Sequence, residues 1–307
     1  SIEYVLYGGG IVNIDNIEDL KLIKDILSKK NDDFLIRVGL RLSFKEDNLH
    51  SRFGLTYDSK EYNFIVKEII NNDKIIFESI HIHYPQRDIE SFGRRIEEIM
   101  KAAKQIKTFN NNLLSIDIGG GFPSKMPKCV SNSIGLEKVF NLEEFSAKLN
   151  SLRTKYSLQN MKFIYEPGTA IAANSMSLVG NIKSINSKGK DIYLNTDLSK
   201  ALLGNIKSEV LYPISIIKKR IKQNDKRHKY IISGFTCIEG DILGYIESNT
   251  SLEIGDLIHI DSIGSYSNVF KSPFIRGDIS IFVWDGVSLE ICKRAQTAKD
   301  ICDLYLS

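Results

Sequence analysis

The sequence predicts an α/β protein in which five parallel strands form part of a TIM-type (β/α)8 barrel, strands 4 to 8, followed by a mostly β C-terminal domain. Three observations predict it. Strand-like and helix-like segments alternate from the N-terminus to about residue 176. Beyond that point strand-like pieces follow one another with few helix signals between them. The last two strands before the change each run into a loop suited to an anion, as strands 7 and 8 do in such barrels.

Each element has its own signal. Gly10 to Asp15 (GIVNID) is a short apolar strand. Asn16 is placed to cap the next helix, whose Ile17, Leu20, Leu22, Ile23, Ile26 and Leu27 form an apolar stripe. Phe34 to Leu42 is the second strand, Lys60 to Asn71 a helix, and Ile75 to Tyr84 the third strand. A charged helix over Ile89 to Ile106 leads to the fourth strand, Leu113 to Ile118. A helix over Leu142 to Lys155 precedes the fifth, Lys162 to Glu166. Strands joined by helical crossovers argue for a parallel sheet.

The strand-like pieces of the second part are Ser177 to Ile185, Asp191 to Asn195, Lys229 to Ser233, Leu257 to Ile260 and Ile279 to Trp284. Helix is expected only near Lys207 to Lys219 and in the C-terminal tail. The domains are therefore placed at 1–176 and 177–307. Five strands are too few for a closed barrel, so either the sheet is open or three strands lie upstream of Ser1. If the two anion-friendly loops follow strands 7 and 8, Gly10 to Asp15 is strand 4, and the second alternative holds. The chain also begins without Met, as a fragment or a processed product would.

Of the 307 residues, 42% are hydrophobic and 26% charged, as in soluble globular proteins. A net charge of +3 gives no field for nucleic acid or a membrane surface. No apolar run approaches the roughly 18 residues of a membrane span, and the N-terminus lacks a signal core. A cytoplasmic location is expected. Cys129, Cys237, Cys292 and Cys302 show no CxxC spacing, which weakens zinc and thioredoxin readings. Thiols of a large intracellular enzyme usually stay reduced.

The chemistry-bearing motifs sit at strand ends. In Asp117-Ile-Gly-Gly-Gly-Phe-Pro123, three glycines after a strand let backbone amides approach an anion; a flexible loop is the plainer alternative. The GxGxxG spacing of a dinucleotide site is missing. Glu166-Pro-Gly-Thr169 puts a carboxylate at a strand end before a rigid turn, for a cofactor contact or merely a capped turn. His81 and His83 alternate and share a face. They could stack on a flat ring or fill a core, and no third ligand for a metal is evident. Arg37 and Arg41 lie in the second strand, with Arg41 near the end where catalytic groups of barrels collect; a buried ion pair serves equally well. In the second domain, Gly234-Phe-Thr-Cys-Ile-Glu-Gly-Asp241 sets a thiol close to two acids, so Cys237 is a reactive group or a structural one. Tyr266 could donate to a phosphate or simply pack.

Together these residues resemble the group 2 ornithine/diaminopimelate/arginine decarboxylases, pyridoxal-phosphate enzymes of the alanine-racemase-like fold. The motifs run in order through almost the whole chain. Ser51-Arg-Phe-Gly-Leu55 looks like the family's Ser-Lys-Phe-Gly segment. By this resemblance His83 stacks on the pyridoxal ring, Gly119, Gly120 and Gly121 bind the phosphate with Gly168 and Tyr266, and Glu166 pairs with the pyridine nitrogen. Arg41 joins the cofactor contacts. Cys237 and Asp241 match the Cys-x-x-x-Asp loop that reaches into the partner subunit's site, and Phe274 matches an aromatic beyond Tyr266. The resemblance thus implies a homodimer with shared sites, bound pyridoxal 5'-phosphate, and catalytic roles for Glu166, His83 and Cys237. Glu239, Asp241 and Phe274 are the implied substrate contacts.

The implied reaction is decarboxylation of an amino acid or an amino-acid-derived conjugate. A carboxylate beside the ring nitrogen keeps it protonated and strengthens the cofactor as an electron sink. Glu166 therefore disfavours a racemase, since related racemases carry arginine there. The family's cysteine helps return a proton to the carbanion, a step worth on the order of 10²–10⁴-fold. The pattern departs from the family in several places. The cofactor-bearing lysine belongs to strand 1, and no lysine here has that context, so this chain alone is expected to bind cofactor weakly and turn nothing over. Pro85-Gln86 stands where Gly-Ser follows the stacking histidine, and Thr169 where an arginine follows Glu-Pro-Gly; both remove phosphate contacts. Ile238 follows Cys237 where an acid is usual, with Glu239 one place later. Members serving siderophore, antibiotic or peptide-modification pathways resemble this variant more closely. The alternative is a non-catalytic relative that regulates by dimerising with an active paralogue.

Overall fold

The computed structural model describes residues 2–30, 33–44, 51–86, 88–122, 127–133, 141–204, 210–219 and 227–305. The chain forms two compact units, 1–123 with 138–170, and 124–137 with 171–307.

The first unit opens with a short helix, α1 (Ile2–Tyr7), and strand β1 (Ile11–Ile14). Helix α2 (Ile17–Ser28) starts at Asn16, whose side chain accepts from the amides of Glu18 and Asp19. Such a cap is worth about 1 kcal/mol. Leu20, Ile23, Ile26 and Leu27 are buried along one face, but Leu22 is exposed and does not belong to the stripe. It lies about 200° around the helix from Leu20 at 100° per residue, away from the buried face. β2 (Ile36–Ser43), the short β3 (Leu55–Thr56), α3 (Lys60–Ile70) and β4 (Ile75–His81) follow. Helix α4 spans Ile89–Ile106, as the sequence predicts, and Asp88 caps it. β5 (Ser115–Asp117), α5 (Lys128–Ser133, part of the second unit), α6 (Leu142–Tyr156) and β6 (Lys162–Ile164) complete the alternation.

The sheet order is β1-β2-β4-β5-β6, every pairing is parallel, and β3 adds to β2. The parallel α/β architecture expected from the sequence is present. One face of the sheet is apolar and packs against the helices: Val38, Leu40, Ile80 and Ile116 share it and are fully buried. Parallel strands share one carboxyl end, and the register sets Arg41 opposite His81, and His81 opposite Asp117. β4 ends at His81, three residues earlier than the Tyr84 expected from the sequence. Ile82 still donates to Asp117 O at 2.9 Å, but His83 lies beyond the strand.

The second unit is mostly β. After α7 (Thr169–Ala172) come β7 (Leu178–Lys188), β8 (Asp191–Thr196), β9 (Ile214–Ile217), β10 (His228–Ser233), β11 (Ile242–Ser248) and β12 (Leu257–Ile260). They form one sheet in the order β11-β10-β8-β7-β12-β9. The helix expected near Lys207 to Lys219 is not found among the described residues of that stretch, 210–219. Lys207 lies outside the described residues, and Ile214–Ile217 is a strand, antiparallel to β12. Three β-branched isoleucines in four residues favour that pleated pairing over a helix. α8 (Ser267–Phe270) precedes a separate two-stranded ribbon, β13 (Ile281–Trp284) and β14 (Leu289–Lys293), and α9 (Ala298–Cys302). Every residue of β14 is exposed. No helix among the described residues is long and apolar enough to cross a membrane.

Candidate active site

The carboxyl ends of the parallel strands gather the polar residues of the first unit. Arg37, lower in β2, is spent structurally: it forks onto both oxygens of Glu78 and donates through Nη1 to Gly9 O at 2.9 Å. Arg41, at the strand end, is free of such a clamp. Its Nε lies 3.7 Å from Asp15 Oδ1, and its guanidinium sits 4.7 Å over the ring of Phe53.

Beside it, His81 is buried, and neither ring nitrogen has a hydrogen-bond partner among the described residues. Its Nε2 is 3.7 Å from Glu166 Oε2, too long for a hydrogen bond. Burial, with the neighbouring Arg41 and His83, pushes its pKa down to about 4. Asp117 is buried next to it. Desolvation is the main cause that raises its pKa to about 6; the Gly119 amide works against that rise, and the charge of Glu166 adds to it. One polar atom each from His81, Asp117 and Glu166 lies within 4.8 Å of the others. Glu166 itself is half exposed (side chain 52%), the accessible member of a group whose other two members are buried.

The glycine loop is knitted to this group. Asp117 Oδ1 accepts from the Gly119 amide at 2.9 Å, and His83 Nδ1 accepts from the Gly120 amide at 3.0 Å. The latter bond fixes the half-buried imidazole and gives its proton to Nε2. Glu166 N–H donates to Gly119 O at 3.0 Å, so the loops after β5 and β6 are locked together. Gly119 has φ +67°, and a Cβ there would stand 2.6 Å from Ile82 O and 2.8 Å from His83 Nδ1. Only glycine fits. The amides of Gly119 and Gly120 are therefore used within the loop rather than presented to an anion. The Gly121 amide has no acceptor among the described residues and remains to serve one. Pro123 lies outside the described residues. Gly168, exposed, precedes α7.

Sequence reasoning passed over Arg95. It looks like one half of an Arg-Arg pair on a charged helix, yet it is 1% exposed and lies behind the glycine loop. Its only signal was position: it falls on the face of α4 that also carries the buried Phe92, Ile96 and Ile99.

The remaining expected residues belong to the second unit. Cys237, Ile238 and Glu239 are exposed and line a cavity of about 390 Å³ with Tyr193, Ser233 and Tyr245. Asp241 differs: it is buried, and both carboxylate oxygens are engaged. Oδ1 accepts from the Lys200 amide at 2.8 Å, and Oδ2 from the Thr236 amide and hydroxyl at 3.2 and 2.6 Å. It braces the cysteine loop from below. Tyr266 is exposed, adopts φ +66°, and stacks on Phe270 at 5.4 Å between centroids. Phe274 is 39% exposed.

Comparison with known proteins gives the class. Residues 1–173 match the family model described as pyridoxal-dependent decarboxylase, pyridoxal binding domain. The chain belongs to that family, as its motifs imply. It is 26% identical over 196 residues to a carboxynorspermidine/carboxyspermidine decarboxylase of Herminiimonas arsenicoxydans, covering 64% of this chain and 47% of that protein. It is 21% identical over 299 residues to a diaminopimelate decarboxylase of Archaeoglobus fulgidus, covering 89% of this chain and 65% of that protein. The chain thus spans roughly half to two thirds of these relatives. Among solved structures, diaminopimelate decarboxylase of M. jannaschii superimposes with a TM-score of 0.81 at 18% identity, over 97% of this chain and 70% of that one. The Helicobacter pylori enzyme complexed with L-lysine gives 0.80 at 17%, over 96% and 73%. The fold is that of these decarboxylases.

The strand-end residues fit the family's cofactor. Glu166 offers an accessible carboxylate, His83 a fixed imidazole beside it, and Gly121 an amide in a loop that side chains would fill.

Proposed function

We propose that the protein decarboxylates an amino acid or an amino-acid-derived conjugate with pyridoxal 5'-phosphate. The observation that carries this reading is the placement of Glu166, half exposed, over buried His81 and Asp117 and bonded to the glycine loop. When bound, the cofactor supplies an electron sink for the pair left on the α-carbon as carbon dioxide departs. Glu166 would hold a proton on the pyridine nitrogen, His83 would lie against the ring, Arg41 would lend positive charge, and Gly121 and Gly168 would hold the phosphate. His81, neutral at pH 7, puts no competing cation beside Glu166.

Cys237 and Glu239 act in trans in a homodimer: the thiol returns a proton to the α-carbon, and Glu239 with Phe274 meets the substrate. Their exposure on one loop supports this. Asp241 takes the positioning role that its buried bonds define. The conjugates taken by carboxynorspermidine decarboxylases are favoured over diaminopimelate, because the acid of the loop is displaced by one residue. The test is release of carbon dioxide from carboxynorspermidine, diaminopimelate, ornithine and arginine. It is run with added cofactor on the 307-residue chain and on the product of the complete reading frame. Cofactor binding without release from any of them would remove the decarboxylase reading.

A further inference from the structure

Arg95 is a buried cation without a counter-ion in contact among the described residues. Nη1 donates to Tyr84 O at 2.8 Å, and the guanidinium lies 3.6 Å over the ring of Phe92. Nε and Nη2 have no hydrogen-bond partner among the described residues. The acid that acts on it is Asp88, whose carboxylate caps α4 by accepting from the Ser91 amide at 2.8 Å. Burial draws its pKa down to about 10, so it stays charged at neutral pH. Interior charges are retained where something compensates them.

The compensating side is visible. Nη2 is 3.4 Å from where a Cβ would stand on Gly121, the loop glycine whose amide is still available. Gln86 O and Tyr84 O line the same space at 3.7 and 3.8 Å. Two phosphate contacts that the family resemblance leads one to expect are missing, Gln86 and Thr169 standing at their positions, and Gln86 is close to Gly121. The chain therefore lacks expected donors for a dianion and has a buried donor unused in the same loop neighbourhood.

We propose that Arg95 is a phosphate-binding residue, turning its free guanidinium edge with the Gly121 amide onto the cofactor's phosphate in place of the family's missing donors. The assignment rests on the cofactor reading above. Arginine suits the task because its fixed fork presents donors to phosphate oxygens.

Calorimetric titration of the purified chain with pyridoxal 5'-phosphate and with pyridoxal, which lacks the phosphate, tests it. Arg95→Met is expected to weaken pyridoxal phosphate roughly 10- to 100-fold and leave pyridoxal unchanged, so that discrimination between the two collapses. Arg95→Lys, which keeps the charge and is the variant to rely on if Arg95→Met does not fold, is expected to retain part of the discrimination. Equal weakening of both ligands, or none, by either variant would overturn the assignment and leave Arg95 a strut for Tyr84 and Phe92. Binding of neither ligand by the unaltered chain or by the product of the complete reading frame would overturn the cofactor reading as well.

Discussion

His81 stands opposite Asp117 across the β4–β5 pairing, and the two are displaced in opposite directions, the imidazole down to about 4 and the carboxyl up to about 6. The consequences for stability oppose each other. The unfolded chain protonates His81 near its ordinary 6.5, the folded one only near 4, so stability is lost as pH falls through that window. The unfolded chain ionises Asp117 near 3.8, the folded one near 6, so stability is lost as pH rises through that window. Each effect is on the order of 3 kcal/mol. Asp117→Asn, which still accepts from the Gly119 amide, is expected to gain on the wild type as pH rises from 4 to 6. His81→Asn is expected to gain as pH falls from 6.5 to 4. Urea midpoints at unit pH steps read both, and differences that do not change with pH would contradict the burial argument.

Glu166 is half exposed. Glu166→Gln is therefore expected to leave the melting temperature nearly unchanged, within about 0.5 kcal/mol, and, in the product of the complete reading frame, to lower the decarboxylation rate by about 100-fold or more. A variant that melts early but turns over normally would assign the residue to the scaffold.

The two acids of the cysteine loop should separate cleanly. Asp241 is 2% exposed and accepts three hydrogen bonds. Asp241→Ala strands those donors, at about 2–4 kcal/mol. Glu239→Gln, on the exposed side, is expected to cost nothing measurable in thermal unfolding while raising KM for a cationic substrate. Equal destabilisation by the two substitutions would refute this division of labour.

Two neighbouring glycines make a matched pair. Gly119→Ala combines a left-handed φ with a contact of 2.6 Å to backbone, and is expected to destabilise by about 1–3 kcal/mol from the backbone alone, with the clash added. Gly121→Ala shares the strain, but the nearest atom is Arg95 Nη2 at 3.4 Å, so its loss in melting temperature should be the smaller. The opposite ranking would mean that the loop can relax around Gly119.

Local signals carried the architecture. α4 was readable to its end residues because Asp88 caps a strongly amphipathic run, and the parallel strands because apolar runs alternate with helices. β9 was misread: three isoleucines beside basic residues fit either element, and its pairing with β12 is long-range. β11 and β14 escaped notice for a related reason, since glycines and charges break their alternation. Within the site, motif positions named Glu166, His83 and the glycines, but not which amides were already taken. That depends on Asp117 and His83 folding back onto the loop. Arg95 was invisible because nothing in an Arg-Arg dipeptide says which arginine faces inward; the three-residue offset from Phe92 does so only once the helix is packed.

The ribbon β13–β14 pairs with no other strand among the described residues, and Phe282, Trp284, Leu289 and Ile291 lie open on it. Isolated ribbons of this kind are marginal in water. Trp284 is the sole tryptophan of the chain. The molecule consequently carries one indole fluorophore on a wet surface, and its emission colour reports on that ribbon alone. Red-shifted emission on dilution, turning blue as concentration rises, would mark the ribbon as the place where two copies meet.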